Sequence, residues 1–240
     1  MSAPVLIFGA GGGIGSAAAR ALAARGAPVH LAGRNGAALA ALGAELGARH
    51  SLCDVLDSDQ IAAAIADAGP ALSGLIFAVG SIQLAPLRRT SRAAFHEAFE
   101  LNAVAAAEAV RLAEVPLKAG EGGVVLFSTI AVAQGFTNHA LISAAKGAVE
   151  GLTRALAADL APKVRVNCIA PSLTDTAVAR PLTANPQMAE AIAALHPIAR
   201  LGAGADAGAL AAFLASRDAG WITGQVFAVD GGRSRVRTKG

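Results

Sequence analysis

The chain has 240 residues, of which 54% are hydrophobic and 15% charged, and its formal net charge is +3. This length suits one large α/β domain, and because no Pro/Ser-rich linker or charge block divides the chain, we expect a single domain over 1–240. The uncharged stretches are interrupted by Gly, Pro, Gln, Asn or His, and the N-terminus has no signal-peptide pattern, so the composition excludes a membrane span and indicates a cytoplasmic protein.

The chain opens with a short apolar run, 5–8, that breaks into a glycine cluster at 9–15. An Ala-rich segment with helical spacing follows at 14–25, so the pattern predicts a strand, a glycine turn and a helix. Glycine lacks a Cβ and lets the backbone approach a bulky anion, and the free N–H groups at a helix start suit a pyrophosphate. We expect a dinucleotide to be bound by Gly9, Gly11, Gly12, Gly13, Ile14 and Gly15. A glycine turn without a ligand is the alternative.

Strand-like apolar runs and helix-like segments then alternate along the chain. The strand-like runs are 28–32, 51–53, 73–79, 124–127, 164–169 and 225–229. The helix-like segments are 36–47, 57–68 with an N-cap pattern at 57–59, 91–118 as two helices, 141–160 and 205–215. Such alternation of continuous apolar runs with helices indicates a parallel sheet covered on both faces. Right-handed crossovers then predict a single-domain, Rossmann-like, doubly wound parallel sheet with helices on both faces.

Glycine and polar residues directly follow most of the predicted strands. They are 9–15, Gly33 and Arg34, Asp54, Gly80, Ser128 and Thr129, and Pro171. Ligands of doubly wound sheets bind outside the carboxyl ends of the strands. We therefore expect these residues to share one edge of the sheet and to form the functional site.

The end of the second strand bears on the choice of cofactor. A NAD site needs a carboxylate about 20 residues beyond the glycines, where it accepts hydrogen bonds from the ribose hydroxyls. Here Gly33 is followed by Arg34, and the first acidic residue of the chain is Glu45. Because the guanidinium fork suits a phosphate, we expect NADP(H) to be preferred over NAD(H). An ordinary surface role for Arg34 is the alternative.

With these motifs described, the chain resembles the short-chain dehydrogenase/reductase family over nearly its whole length. The family's opening T-G-x-x-x-G-I-G is similar to 8–15, and its N-x-I-x-P-G-x-x-x-T looks like 167–176. Its active-site Asn resembles Asn102, and its ending is similar to 221–232. The resemblance implies further cofactor contacts, from the D-V pair and from loops after the strands, at Asp54, Val55, Gly80, Pro171 and Thr176.

The departures from the family pattern concern the chemistry. The family's N-N-A-G motif is replaced by 77–80, so the polar side chains that connect neighbouring strands in the family are missing. The catalytic Ser position holds Thr129, whose hydroxyl can still donate to a carbonyl. The catalytic Tyr position holds Ile142, and the chain contains no tyrosine. Lys146 lies one helical turn after Ile142, and the resemblance implies that it binds the nicotinamide ribose.

Because Ile142 cannot donate a proton, the sequence leaves the general acid open among three residues. His139 faces the same way as Ile142 if the helix extends back that far, and its ordinary pKa near 6.5 suits acid chemistry; a cap or loop histidine is the alternative. Ser143 points about 100° away from position 142. Lys146 can serve if burial lowers its pKa. His196 is expected in a surface loop.

Two functions fit these observations. The first is an NADP(H)-dependent oxidoreductase of short-chain dehydrogenase/reductase type, acting on a small carbonyl or alcohol, with Asn102, Thr129, Lys146 and, as a candidate, His139 as catalytic residues. The second is a catalytically silent NADP(H)-binding sensor or assembly protein. We favour the first, because the retained polar residues have little reason to persist together in a scaffold. Small residues along 141–160 permit close helix approach, so we also expect a homodimer or homotetramer.

The positive net charge comes from the end of the chain. Four of the twenty Lys and Arg residues lie in 233–240, which leaves sixteen basic against seventeen acidic residues, or −1, in the rest. We interpret 233–240 as a solvated basic tail and expect no nucleic-acid partner, because no aromatic-rich surface accompanies it. Cys53 and Cys168 lie in or beside strand-like runs and are predicted to be buried, with no disulfide and no metal site.

Overall fold

Seven parallel strands form the central sheet of the computed structural model, which describes residues 3–238. In chain order, the strands are β1 (Val5–Phe8), β2 (Val29–Gly33), β3 (Arg49–Leu52), β4 (Gly74–Phe77), β5 (Gly123–Phe127), β6 (Arg165–Pro171), β7 (Thr174–Asp175), β8 (Gly202–Ala203) and β9 (Val226–Val229). The order across the central sheet is β3-β2-β1-β4-β5-β6-β9, whereas β7 and β8 pair with each other. The predicted doubly wound parallel sheet is therefore confirmed.

Helices connect these strands and cover both faces of the sheet. The α-helices in the described residues are α1 (Gly13–Ala23), α2 (Gly36–Leu46), α3 (Ser58–Ala68), α4 (Arg92–Phe99), α5 (Ala105–Leu112), α6 (Glu114–Gly120), α7 (Ala131–Gln134), α8 (Ala140–Leu160), α9 (Arg180–Thr183), α10 (Pro186–Ala193) and α11 (Gly204–Ala215). Residues of α3, α5 and α8 pack on one face, and residues of α1, α2 and α11 pack on the other.

The apolar run of β1 supplies both layers of the core. Leu6 and Phe8 belong to the layer that contains α3, α5 and α8, whereas Val5 and Ile7 belong to the opposite layer. Successive side chains of a strand alternate between the two faces. A strand in a sheet covered on both sides is therefore apolar throughout, which is why the continuous run predicted a buried parallel sheet.

Small residues let α11 lie directly against α1. A Cβ placed on Gly208 would lie 2.8 Å from the Cβ of Ala17 and 2.8 Å from the backbone nitrogen of Ala18. Ala18 and Ala211 are fully buried in this layer. Glycine at position 208 thus allows the two helices to pack at backbone distance, which fixes α1 and the glycine turn before it against the sheet.

The predicted elements are present, with boundaries that shift by a few residues. Asp57 caps α3 by accepting hydrogen bonds from the backbone nitrogens of Asp59 and Gln60 at 3.0 and 3.2 Å, as its N-cap pattern predicted. The segment 91–118 forms more than two helices, because a π-helical turn at Glu100–Val104 separates α4 from α5 and α6 follows. The short elements between β6 and α11 were not predicted.

Both cysteines are buried free thiols, as predicted, and burial raises the pKa of the Cys168 thiol to about 12. Within residues 3–238, no group of three or more His, Cys, Asp or Glu side chains is arranged to hold a metal ion. Among the helices of this described part, none combines the length and the apolar character needed to cross a membrane.

Candidate active site

A pocket of about 450 Å³ lies where the central strands β1, β4, β5 and β6 end. Its lining contains half of the residues that the sequence placed at this edge, together with other predicted site residues. They are Gly12, Gly13 and Ile14 after β1, Gly80 after β4, Ser128 and Thr129 after β5, Pro171 and Thr176 at and after β6, and His139, Ile142 and Lys146 around the start of α8. The predicted clustering is therefore observed for these residues, whereas Gly33, Arg34 and Asp54 do not line the pocket.

The glycine turn between β1 and α1 is compact because two of its glycines leave no room for a side chain. Gly9 has φ +78°, and a Cβ there would lie 2.7 Å from the carbonyl oxygen of Ala78. A Cβ on Gly15 would meet the carbonyl oxygen of Gly9. The turn leaves Gly11 and Gly12 exposed just before the N-terminus of α1, which is the arrangement that suits a phosphate anion.

The segment after β6 packs on this turn. A Cβ placed on Gly13 would lie 2.7 Å from the Cγ2 methyl of Thr176. Thr176 and Gly13 both line the pocket, and glycine at position 13 is what allows the two segments to touch. The start of the α1 helix and the loop after β6 therefore form one continuous side of the cleft.

The gap beside Gly80 is occupied by two buried polar side chains. A Cβ on Gly80 would lie 2.8 Å from Oδ1 of Asn102 and 2.9 Å from Nζ of Lys146. Asn102 is 1% exposed and Lys146 is 7% exposed. Asn102 lies in a helical turn between β4 and β5, and Lys146 lies on α8 after β5. The missing Cβ of Gly80 leaves space for both groups, and Lys146 lines the pocket there.

Hydrogen bonds fix the Asn102 side chain in the π-helical turn Glu100–Val104. Its Oδ1 accepts from the backbone nitrogen of Ser81 at 3.2 Å, and its Nδ2 donates to the carbonyl of Ala98 at 2.9 Å and to the hydroxyl of Ser81 at 3.1 Å. A π-helical turn inserts an extra residue and often marks a functional site. Here it joins α4 and α5 while Asn102 binds the loop after β4.

Lys146 is held at the end of β5. Its Nζ donates to the carbonyl oxygen of Phe127 at 2.9 Å, and burial lowers the pKa of its ammonium to about 8. The neighbouring Ser128 hydroxyl is turned towards α8, where it donates to Oε1 of Glu150 at 2.8 Å. Ser128 and Thr129 both line the pocket, and Oγ1 of Thr129 accepts from the backbone nitrogen of Ala131 at 3.3 Å.

The three candidates for the proton donor have different surroundings. Ser143 donates to the carbonyl of Ala131 at 3.1 Å, so its hydroxyl faces α7, in line with the expectation that it points away from position 142. Helix α8 begins at Ala140, and His139 is the residue before it, yet the His139 ring still lines the pocket beside Ile142. Lys146 lines the same pocket from within α8.

The His139 ring is oriented by its own loop. Its Nδ1 lies 2.8 Å from the carbonyl oxygen of Thr137, and its ring packs edge-on against Phe136 with centroids 5.3 Å apart. A carbonyl oxygen only accepts, so Nδ1 carries a proton in this contact. Nε2 is then the nitrogen that gains or loses the second proton.

The other predicted cofactor contacts, Arg34, Asp54 and Val55, lie farther along the same sheet edge. Arg34 is exposed between the end of β2 and Asn35, the N-cap of α2. Asp54 follows β3, and its Oδ1 accepts from the backbone nitrogen of Leu56 at 3.1 Å; Val55 is buried. Because β2 is hydrogen-bonded to both β1 and β3, Arg34 lies at the strand end beside the glycine turn.

One histidine and part of the C-terminal segment differ from the sequence expectation. His196, expected in a surface loop, is 4% exposed, and that prediction is wrong. Its Nδ1 lies 2.9 Å from the carbonyl of Ile192 and its Nε2 lies 2.8 Å from the hydroxyl of Ser172. Both ring nitrogens are paired inside the protein, which removes the cost of burying them.

The prediction that 233–240 is a solvated tail is also wrong at Arg233. The Arg233 guanidinium carbon lies 4.7 Å from the centroid of the Phe136 ring, and the residue lines the pocket. Arg235 and Arg237 are exposed, and Lys239 lies outside the described residues. The turn-forming triplet 230–232 was the one sequence feature that indicated a chain reversal before Arg233.

Comparison with known proteins adds to this geometry. Residues 9–234 match a family model described as Enoyl-(Acyl carrier protein) reductase. The galactitol 2-dehydrogenase (L-tagatose-forming) of Cereibacter sphaeroides is 35% identical over 237 residues, which cover 94% of this chain and 92% of that protein. The cis-4-hydroxycyclohexanecarboxylate dehydrogenase of Sinomonas cyclohexanicum is 34% identical over 241 residues, covering 96% of each.

A solved structure shares the whole architecture. The gluconate 5-dehydrogenase from Burkholderia cenocepacia J2315, in complex with NADP and tartrate, superposes with a TM-score of 0.89 at 26% identity. The match covers 99% of this chain and 97% of that one. The likeness therefore extends from the glycine turn to the C-terminal strand.

Proposed function

Because the chain belongs to the short-chain dehydrogenase/reductase family, we propose that it is an NADP(H)-dependent oxidoreductase that interconverts a small alcohol and its carbonyl compound with a proton donor other than tyrosine. The observation that carries the proposal is that Asn102 and Lys146 both lie beside Gly80, at the pocket that Gly80, Lys146 and Thr129 line. The relatives named above are dehydrogenases of small alcohols.

The glycine turn and the end of β2 would hold the cofactor. The exposed glycines before α1 fit the diphosphate, and Lys146 would bind the nicotinamide ribose. When bound, the nicotinamide supplies or accepts the hydride. Arg34 would bind the extra phosphate of NADP, since a guanidinium pairs with phosphate through a planar fork. The related gluconate 5-dehydrogenase was solved with NADP.

The cofactor preference is tested by comparing Arg34→Ala with Arg49→Ala. Both arginines are exposed, but Arg49 begins β3 and lies at the opposite edge of the sheet. Loss of one charge-assisted contact is expected to weaken NADPH binding by about 10- to 100-fold and to leave NADH binding nearly unchanged. Calorimetry measures both affinities, and equal losses for NADPH and NADH would remove the phosphate role of Arg34.

Thr129 would bind the substrate oxygen. Its Oγ1 accepts a hydrogen bond from Ala131, and among the hydrogen bonds of residues 3–238 the hydroxyl donates to no protein group. The O–H is therefore free to donate to a substrate carbonyl. This contact strengthens as negative charge develops on that oxygen, which is the condition for stabilising the transition state.

His139 would supply the proton that the family takes from tyrosine. Its Nδ1 is held by the Thr137 carbonyl, so the protonated imidazole has Nε2–H to give to the substrate oxygen. Lys146 is the other candidate donor, because burial lowers its pKa to about 8. Each assignment predicts a different pH dependence for carbonyl reduction.

The test follows oxidation of NADPH at its nicotinamide absorbance band over a panel of ketones and aldehydes. We expect turnover that falls by at least about 100-fold in Thr129→Ala and in Lys146→Ala, while the exposed-residue controls Thr238→Ala and Lys163→Ala retain it. Tight NADPH binding without oxidation by any panel member would support a catalytically silent protein instead.

The proton donor is identified from the same assay as a function of pH. A general acid must carry its proton, so reduction slows as the pH rises through its pKa. If His139 is the donor, His139→Ala lowers the rate by about 10²- to 10⁴-fold and removes this fall of the rate with pH, whereas the exposed control His96→Ala does neither. If the fall near pH 8 persists unchanged in His139→Ala, Lys146 is the donor.

We further propose that the protein forms a homodimer or homotetramer through α8. Ala144 and Gly151 are exposed on this helix, and a Cβ on Gly151 would meet no atom within 4 Å. Such a surface permits close approach of a second helix. Light scattering behind size exclusion gives the mass, and a monomer at micromolar concentration would contradict the proposal.

A further inference from the structure

The pocket is unevenly charged. In the described part of the chain, its ionisable lining residues are His139, Lys146 and Arg233, and neither Asp nor Glu lines it. Lys146 is engaged with the Phe127 carbonyl and His139 with the Thr137 carbonyl. Arg233 is the remaining cation, and the proposed reaction gives it no role.

Arg233 is held in place by the turn that precedes it. The Asp230 carboxylate accepts from the backbone nitrogens of Gly232 and Ser234 at 2.9 and 2.8 Å. Gly231 and Gly232 have φ of +59° and +88°, a conformation that glycine adopts without strain. The Arg233 carbonyl accepts from Nε2 of Gln134 at 3.4 Å. The chain therefore reverses and returns Arg233 to the pocket.

The guanidinium of Arg233 stacks on an aromatic ring and keeps its donors free. It lies over Phe136 at 4.7 Å from the ring centroid. Within residues 3–238, Arg233 takes part in none of the ion pairs, and its side chain donates none of the hydrogen bonds. Asp230 is nearby, but its two oxygens are occupied by backbone donors. Stacking leaves the in-plane N–H groups available to a planar anion.

Apolar side chains form much of the rest of the lining. Those from the loop after β4, from α8 and from the segment after β6 are Ile82, Leu84, Ile142, Val178, Leu182 and Ile192. A volume of about 450 Å³ that also admits the nicotinamide leaves room only for a compact substrate. A partly buried guanidinium in such surroundings is costly unless an anion pairs with it.

We propose that Arg233 binds a carboxylate of the substrate, so that the protein acts on small, otherwise apolar hydroxy or oxo carboxylic acids. The reaction in this inference rests on the proposed function, whereas the binding of a carboxylate by Arg233 does not. The guanidinium fork matches the two oxygens of a carboxylate. The apolar lining accommodates the carbon skeleton, and the carbonyl or hydroxyl carbon lies towards Thr129 and the nicotinamide.

The experiment compares oxo carboxylates with the primary amides of the same compounds, which keep the size and lose the charge. We expect kcat/KM to be about 10- to 100-fold higher for the acids. In Arg233→Gln this preference should fall to near one, and in Arg233→Lys it should be intermediate, because lysine keeps the charge without the fork. The control Arg235→Gln, two residues on and exposed, should retain the wild-type preference.

A binding measurement separates this proposal from the reaction. Calorimetric titration of the protein–NADPH complex with the same acids and amides reports the preference even if no compound is turned over. Acids that bind better than amides, with the difference lost in Arg233→Gln, support the site in either case. Equal binding of acids and amides to the wild type overturns it, as does tighter binding of matched phosphate monoesters than of carboxylates.

Discussion

The two halves of the pocket are built from different material. The half that we propose for the cofactor, here called the cofactor half, is formed by main chain, with Gly9 and Gly15 packed so closely that a Cβ has no space. The half that we propose for the substrate, here called the substrate half, is formed by side chains from segments far apart in the chain, such as Phe136, Leu182 and Arg233. A backbone-lined site tolerates little change but specifies one ligand shape, whereas a side-chain-lined site can change its ligand by substitution without altering the fold.

Lys146 lies between the two halves. Its burial lowers the free energy of unfolding, and this is the largest effect that we expect. Burial lowers its pKa from 10.5 to about 8, so from pH 8 to 10.5 the unfolded chain binds a proton that the folded protein does not. Stability therefore rises with pH over this window, by about 3 kcal/mol in total, and the whole penalty is present below pH 8.

The measurement is urea unfolding of wild type and Lys146→Met from pH 7 to 9.5. We expect the free energy of unfolding of wild type, relative to Lys146→Met, to rise with pH. Using the difference reduces the contribution of Cys168, whose raised pKa of about 12 makes stability fall as the pH rises above the ordinary thiol pKa. The contribution is not cancelled completely, because the charge of Lys146 lowers the Cys168 pKa. A pH-independent difference would show that Lys146 keeps its ordinary pKa in the folded protein.

Gly15→Ala tests whether cofactor binding requires a glycine, without a side chain, at this position of the turn. The added Cβ meets the Gly9 carbonyl oxygen and would lie 3.0 Å from Cα of Ala10, so the turn must open. Overpacking of this kind costs about 1–3 kcal/mol, and we expect NADPH affinity to fall by up to about 100-fold. Gly147→Ala is the matched control, because its Cβ makes an ordinary 3.7 Å contact with Val132.

Unchanged NADPH affinity in Gly15→Ala would mean that the turn does not bind the diphosphate. Thermal unfolding of the same variant shows whether the fold persists. A variant that unfolds at the wild-type temperature and still loses NADPH would locate the defect in the turn itself.

Leu182→Ala tests the substrate half, and its effect is the smallest that we expect. Leu182 lines the pocket from α9, and removal of its partly buried side chain costs about 1 kcal/mol of apolar contact. We expect KM for the substrate to rise about fivefold while the Kd for NADPH stays unchanged. Leu195→Ala, at a residue that is 57% exposed, should change neither, and a loss of NADPH affinity in Leu182→Ala would show that the two halves are not separable.

The cofactor half was predictable from the sequence because its determinants are local. A glycine cluster between an apolar run and a helix, or a polar residue just after a strand, is visible within a few residues. Thr129 was predicted as a polar residue after a strand, whereas Asn102 and Lys146 were predicted only from their resemblance to family motifs. The π-helical turn around Asn102 was not, since its hydrogen-bond pattern leaves no periodic mark in the sequence.

The substrate half was not predictable, because its contacts join distant residues. The pairing of Gln134 with Arg233 spans 99 positions, and His196 is buried only because Ser172 and α10 lie beside it. A basic residue near the C-terminus and a histidine before a proline are both typical of solvated segments. Only the tertiary fold shows that Arg233 and His196 are not solvated.

The contact between Gly13 and Thr176 has a consequence for sequence evolution. Because a Cβ at position 13 would press into the Thr176 methyl group, the two positions cannot vary independently. A descendant that gains alanine at 13 needs a smaller residue at 176, or a displaced loop after β6, to remain folded. In this chain, the glycine turn and the loop after β6 are therefore expected to change together at these two positions.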